Sequence, residues 1–314
     1  MELYKSRDFS SFFQDTFTFI KLCGGHYFKH LFVVTGFFIL ILMTLGYFMT
    51  KMYTGIFNSA LSGANQGLVM DSYLNDNAGM FGLLIILFLT VGLLSGLILY
   101  AYSPIYLKLY NEHGGKNFGT NEIVNIYKSN IGKLFVFLIS SLLISIPLII
   151  VVGIIGMILA ITIIGILLIP VLFGALMLFY GMTFMEYIEG DKGIFECYGY
   201  SWSLMTKKFW AAIGSVGLFF LMCYIGQTLI SMIPYIFGMV SIFTTIEESG
   251  VNATTQVGST MTTMMLIMFI LNSMLSIFVG QLIEINQGIV FYGLKEENEN
   301  IGSKSIIDQI GAGE

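Results

Sequence analysis

Run length of apolar residues, sorting of the basic residues and scarcity of charge together predict an all-α polytopic membrane protein: six transmembrane helices with amphipathic helices at the cytoplasmic interface. Of 314 residues, 56% are hydrophobic and 11% charged, against roughly 25% charged in a soluble domain. Lipid is therefore the main solvent. The fourteen basic residues follow the apolar runs. Lys5, Arg7, Lys21 and Lys29 precede the first run, and Lys108, Lys116, Lys128 and Lys133 lie between the second and third. Lys192, Lys207 and Lys208 lie between the fourth and fifth, and Lys295 and Lys304 follow the sixth. Only Lys51 falls in an odd-numbered gap. Basic residues near spans stay on the cytoplasmic side, which puts both termini there.

A crossing needs about 20 mostly apolar residues for about 30 Å of hydrocarbon. The expected spans are Leu31 to Thr50, Met80 to Tyr102, Leu134 to Val152, Met157 to Met182, Trp210 to Val240 and Thr262 to Ile289. Residues 134 to 185 carry no charge and are too long for one crossing, so the chain is expected to fold back around Gly153 and Gly156; whether 134–182 makes two full crossings or re-entrant segments stays open. Pro147 and Pro170 then sit inside helices. Residues 51 to 79 and 241 to 261 read as polar external loops, too short for a core of their own. The Asn252-Ala253-Thr254 sequon matters only in a glycosylating pathway. The first thirty residues are too polar and aromatic for a signal peptide, so the first span is expected to be retained.

Each odd-numbered span follows an amphipathic stretch ending in basic and aromatic residues. The first carries Phe9, Phe12, Phe13, Phe17 and Ile20 and ends at Phe28-Lys29-His30. The second starts from a cap at Thr120 and ends at Lys133. The third carries Ile194, Tyr198, Ser201, Trp202 and Met205 and ends at Lys207-Lys208-Phe209-Trp210. Apolar residues at three- and four-residue spacing with a Lys-rich end suit helices in the headgroup layer. Lys29, Lys133, Trp202, Lys207, Lys208 and Trp210 are the expected anchors. The chain thus reads as one membrane domain of three units, 1–102, 103–182 and 183–314, each an interfacial helix plus a hairpin.

The segment Tyr200-Ser201-Trp202-Ser203-Leu204, with Phe209-Trp210 leading into a Gly-containing span, resembles the membrane domain attached to some bacterial glycerophosphodiester phosphodiesterases and its free-standing relatives. Phe291-Tyr292-Gly293-Leu294-Lys295-Glu296 and the tail Ile306-Ile307-Asp308-Gln309-Ile310-Gly311 extend the resemblance, although Gly293 stands where those relatives often have an acidic residue. The likeness is architectural over the whole chain and motif-level in its second half. It implies a six-helix bacterial membrane protein; the phosphodiesterase domain is absent and its activity does not carry over.

Chemistry is sparse. Cys23, His26 and His30 share a helical face and form a candidate metal set, with Gly24 and Gly25 expected to interrupt the helix and interfacial anchoring the more ordinary reading. The three histidines are too few for the histidine-rich iron sites of membrane oxygenases, and His113, in Asn111-Glu112-His113-Gly114-Gly115, reads as part of a solvated turn. Free thiols are expected of Cys23, Cys197 and Cys223. The net charge of -5 comes from scattered carboxylates and implies no nucleic-acid partner. Polar residues in hydrocarbon are costly unless paired. Asn272, Ser276, Gly280, Gln281, Glu284 and Gly288 in the last span, Gln227 and Ser231 in the fifth, and Gly92-x-x-x-Gly96 in the second read as helix packing or as a pathway. Glu284 is expected to pair with Lys133, Lys207, Lys208 or with hydroxyl and amide donors.

These features predict a non-enzymatic inner-membrane scaffold or accessory subunit without cofactor, binding lipid headgroups, a partner protein or its own copies. The alternative is a transporter or channel for a small or lipid-like solute at the helix 5 and 6 interface. Thirteen Lys to one Arg, with abundant Ile, Asn and Phe, fits an AT-rich bacterial genome.

Overall fold

The computed structural model describes residues 1–61, 66–249 and 253–301, with side chains except at 56–61, 66–76, 167, 245–249 and 253–259. Lys304, Asn252 of the sequon and the tail 306–311 lie outside the described residues. The elements are α1 (Phe9–Leu61), α2 (Gln66–Glu112), α3 (Thr120–Ser129), α4 (Ile131–Ala160), α5 (Ile163–Glu189), α6 (Ile194–Lys207), α7 (Phe209–Ser249) and α8 (Ala253–Glu299). No strand occurs among the described residues. All except α3 and α6 are long and apolar enough to cross a membrane. The protein is a multi-pass helical membrane protein whose apolar helices face lipid.

Local chemistry explains where helices stop. α3 and α6 begin alike, at Gly119 and Gly193, whose backbone N–H groups donate to Glu122 and Glu196 three residues on, at 3.0 and 3.1 Å. Thr120 is therefore the first helical residue and not the cap; its hydroxyl bonds His30 Nδ1 instead, at 2.6 Å. The α4–α5 reversal lies at Ile161 and Thr162, not at Gly153 and Gly156. Thr162 Oγ1 accepts the Gly165 N–H at 2.9 Å and caps α5, whereas an exposed peptide in hydrocarbon costs more than glycine's lost entropy, so both glycines stay helical. Two full helices thus cover 134–182. After α2, Gly114 and Gly115 take φ of +62° and +153°, a turn that other residues strain to make. His113 Nδ1 donates within that turn to Leu109 O, 3.0 Å away.

Three expectations change. The stretch before the first span is no separate interfacial helix, because α1 runs unbroken through Gly24 and Gly25. Its apolar face is buried in protein: Phe12, Phe19, Cys23 and Tyr27 are almost fully enclosed, and that packing outweighs the roughly 1 kcal/mol per glycine. Most of residues 51–79 and 241–261 is helical, since neither stretch holds a proline to end the helix entering it.

The described residues form two compact units that do not follow the three sequence units. One comprises Met1–Val34, Leu97–Tyr224 and Val279–Glu314; the other comprises Thr35–Gly96 and Ile225–Phe278. The core of the first is aromatic. Tyr27 meets Tyr102 and Tyr106 edge-on with centroids 5.0 and 4.7 Å apart, and Phe19 meets Tyr110 at 5.2 Å. A second cluster joins Phe219, Cys223 and Ile283.

Small residues set the closest backbone approach. A Cβ on Gly174 would lie 2.6 Å from Gly217 Cα, and one on Gly217 would lie 2.8 Å from Val171 Cα. A Cβ on Gly92 or Gly96 would instead meet nothing within 4 Å, so neither glycine sets a close approach. Gly174→Leu should therefore destabilise the protein by about 2–3 kcal/mol, the upper part of the overpacking range because backbone must move. Gly92→Leu should change little. Thermal unfolding in detergent checks both, and equal midpoints for the two variants would contradict the packing argument.

Candidate functional site

The densest polar constellation is at the end of α5, where the long uncharged stretch meets Glu186 and Glu189. Glu186 bridges two lysines: Lys192 Nζ lies 2.7 Å from Oε1 and Lys295 Nζ lies 2.7 Å from Oε2. Lys295 also reaches Glu189 at 3.2 Å. Tyr292 and Tyr4 donate to Glu189, their rings edge-to-face at 5.0 Å. Burial first, then the Glu189 charge, holds the Tyr4 phenol well above its usual pKa. Lys192 lies 3.7 Å over the Tyr200 ring, and Tyr200 donates to Glu299. Two further lysines close the last turn. Lys133 donates to Tyr187 O and Gly190 O, both at 2.9 Å, and Lys108 to Ile188 O at 3.0 Å. Glu186 and Glu189 went unread in the sequence; the available signal was a pair of carboxylates three apart closing a charge-free run.

This hub revises the anchors. Lys133 caps a helix end. Lys207 donates to Asn298 and Lys208 to Glu297, so both tie α6 and the start of α7 to α8. Lys29 remains exposed, as do Trp202 and Trp210. On α6, Ile194, Cys197, Tyr198, Ser201, Leu204 and Met205 point inward while Phe195 and Trp202 point out, 72% and 59% exposed, with Trp210 following at 74%. Burial, and then the Glu186 charge, pushes the Cys197 thiol up to about 11, so it is protonated and a poor nucleophile at neutral pH.

The intramembrane polar residues expected in the fifth and sixth spans are paired. In the second unit Gln227 Nε2 donates to Ser276 Oγ at 2.8 Å and Ser231 Oγ to Asn272 Oδ1 at 2.7 Å. In the first unit Gln281 Nε2 donates to Glu284 Oε2 at 3.1 Å and to Leu99 O at 3.2 Å, while Tyr27 donates to Gln281 Oε1 at 2.6 Å. Glu284 thus meets an amide on its own helix; Lys133, Lys207 and Lys208 bond elsewhere, because the end of α5 and the end of α8 offer them nearer acceptors.

The three candidate metal residues do lie on one continuous helix face. Cys23 is buried, and the His26 and His30 rings stand 4.3 Å apart. Their nitrogens bond within the protein, His26 Nδ1 to Tyr106 OH at 2.9 Å and Nε2 to Phe118 O at 3.1 Å, and His30 Nδ1 to Thr120. Both histidines thereby join α1 to the α2–α3 connection. Among the described residues no group of three or more His, Cys, Asp or Glu is placed to hold a metal ion. The α5 hub balances two carboxylates with two ammonium groups, an arrangement suited to locking helices together. Protein-family models, curated proteins and solved structures give no match to this chain.

Proposed function

We propose that the protein is a non-enzymatic scaffold or accessory subunit of a bacterial inner membrane, with both termini cytoplasmic, presenting the outer face of α6 to lipid headgroups or a partner protein. The carrying observation is that face: Phe195 and Trp202 project from a helix whose opposite side is buried, beside the exposed Trp210. Amphipathic aromatic rings belong at the membrane–water boundary. The sorting of the basic residues supports the orientation, and the resemblance to the membrane domain of the phosphodiesterases supports the bacterial setting. The pairing of Gln227 with Ser276, Ser231 with Asn272 and Glu284 with Gln281 supports packing over a solute pathway.

Buried Cys197 is a poor reporter of sidedness, so Trp202→Cys in a chain whose native cysteines are serine is the better probe. It should react with an impermeant maleimide only after the membrane is opened. A photo-crosslinking residue at Phe195 should capture phospholipid or one discrete protein. Labelling of Trp202→Cys in intact cells, or no adduct from Phe195, would overturn the reading.

A further inference from the structure

Within the second unit, α7 and α8 flank an open trough of about 730 Å³. Its walls are Ile233 and Phe237 on one side and Ile267 and Leu271 on the other. One end is bounded by hydroxyl groups, Ser241, Thr260 and Thr263. That end lies where the candidate membrane spans of α7 and α8 terminate, at Thr244 and Thr260, and the sequence beyond Thr244 carries Glu247 and Glu248. At the other end the helices are drawn together by the Ser231–Asn272 and Gln227–Ser276 hydrogen bonds. Alongside, Met264 lies against Gly238 so closely that a Cβ there would fall 1.6 Å from Met264 Cε. The trough is thus closed at its apolar end and polar at its other end.

Its dimensions choose the occupant. From Thr260 to Leu271, α8 rises about 16 Å, close to half of about 30 Å of hydrocarbon. About 730 Å³ over that length leaves a cross-section of about 45 Å², against about 80 Å² for a helix about 10 Å across. That width suits a flexible hydrocarbon chain better than a whole helix. Ile233, Phe237 and Ile267 are more than half exposed, so the lining is reached from lipid. We infer that this trough holds one acyl chain of a membrane phospholipid, its ester and headgroup level with Ser241, Thr260 and Thr263 and its tail running to Leu271.

The test uses the full chain in two measurements. In vesicles containing a phospholipid with a diazirine on one acyl chain, labelling per residue at Phe237 and Ile267 should exceed labelling at Ile149 of α4, which is 67% exposed, by about fivefold at limiting probe. Equal labelling overturns the site. In native mass spectrometry after mild delipidation, added phosphatidylglycerol should give one persistent adduct, reduced about tenfold by Leu271→Trp or Ile233→Trp and unchanged by Ile149→Trp. An adduct unaffected by both trough variants, or a chain dimer that those variants abolish in place of the lipid adduct, would equally overturn it. If either tryptophan prevents folding, the diazirine comparison on the unaltered chain decides alone.

Discussion

Lys295→Met should lower the unfolding free energy by about 3–5 kcal/mol, the cost of removing one partner from a buried ionic cluster. The Lys295 side chain is 10% exposed and those of Glu186 and Glu189 are 3% and 12% exposed, so water cannot replace the ammonium. What remains is two carboxylates three residues apart at one helix end, with Lys192 answering only Glu186. Methionine keeps the volume and isolates the electrostatic term. Adding Glu189→Gln to Lys295→Met should recover about half of the loss, because the amide still accepts from Tyr292 and Tyr4 without a buried charge. Denaturation in mixed detergent micelles measures both. A loss below about 1 kcal/mol for the single variant would mean that the hub is solvated in the working protein.

Arg7→Lys should be nearly as disruptive despite keeping the charge. Arg7 is the single arginine in the chain, and its guanidinium is buried. Nη1 donates to Leu3 O at 2.6 Å and Lys5 O at 3.0 Å, Nη2 to Glu2 O at 2.8 Å, and Nε to Asp15 Oδ2 at 2.7 Å. A planar fork serves these four directions at once; an ammonium offers three donors from one point. Losing two such bonds should cost about 2–4 kcal/mol locally. It should free residues 1–8, which otherwise carry Tyr4 to Glu189. Trypsin in detergent should then cut after Lys5 at least about tenfold faster, with the membrane helices still protected. An unchanged cleavage rate would show that the segment is held without Arg7.

The single arginine shows how far a sequence reading reaches. Its charge and its place before the first apolar run assign it to one side of the membrane, alongside twelve lysines, and there the sequence argument stops. Lys133 reads equally well as a headgroup anchor, yet it caps α5 from 54 and 57 residues away. Glycines mislead for the same reason. Gly92 and Gly96 have the spacing of a packing motif but leave room for a Cβ, whereas Gly174 and Gly217, in no motif together, set the α5–α7 approach.

The class of the fold, the number of apolar helices and the amphipathic character of α3 and α6 follow from sequence alone. Bilayer thickness, hydrophobic transfer and helical period act on consecutive residues, so they are written locally. Which carboxylate each lysine meets, whether the first amphipathic stretch faces lipid or protein, and where α7 and α8 part to leave a trough were decided only by tertiary structure. Those outcomes depend on groups brought together across as many as 291 residues, as in the bond from Ser6 to Glu297. A buried polar group takes the nearest acceptor in space, and its distance along the chain does not enter.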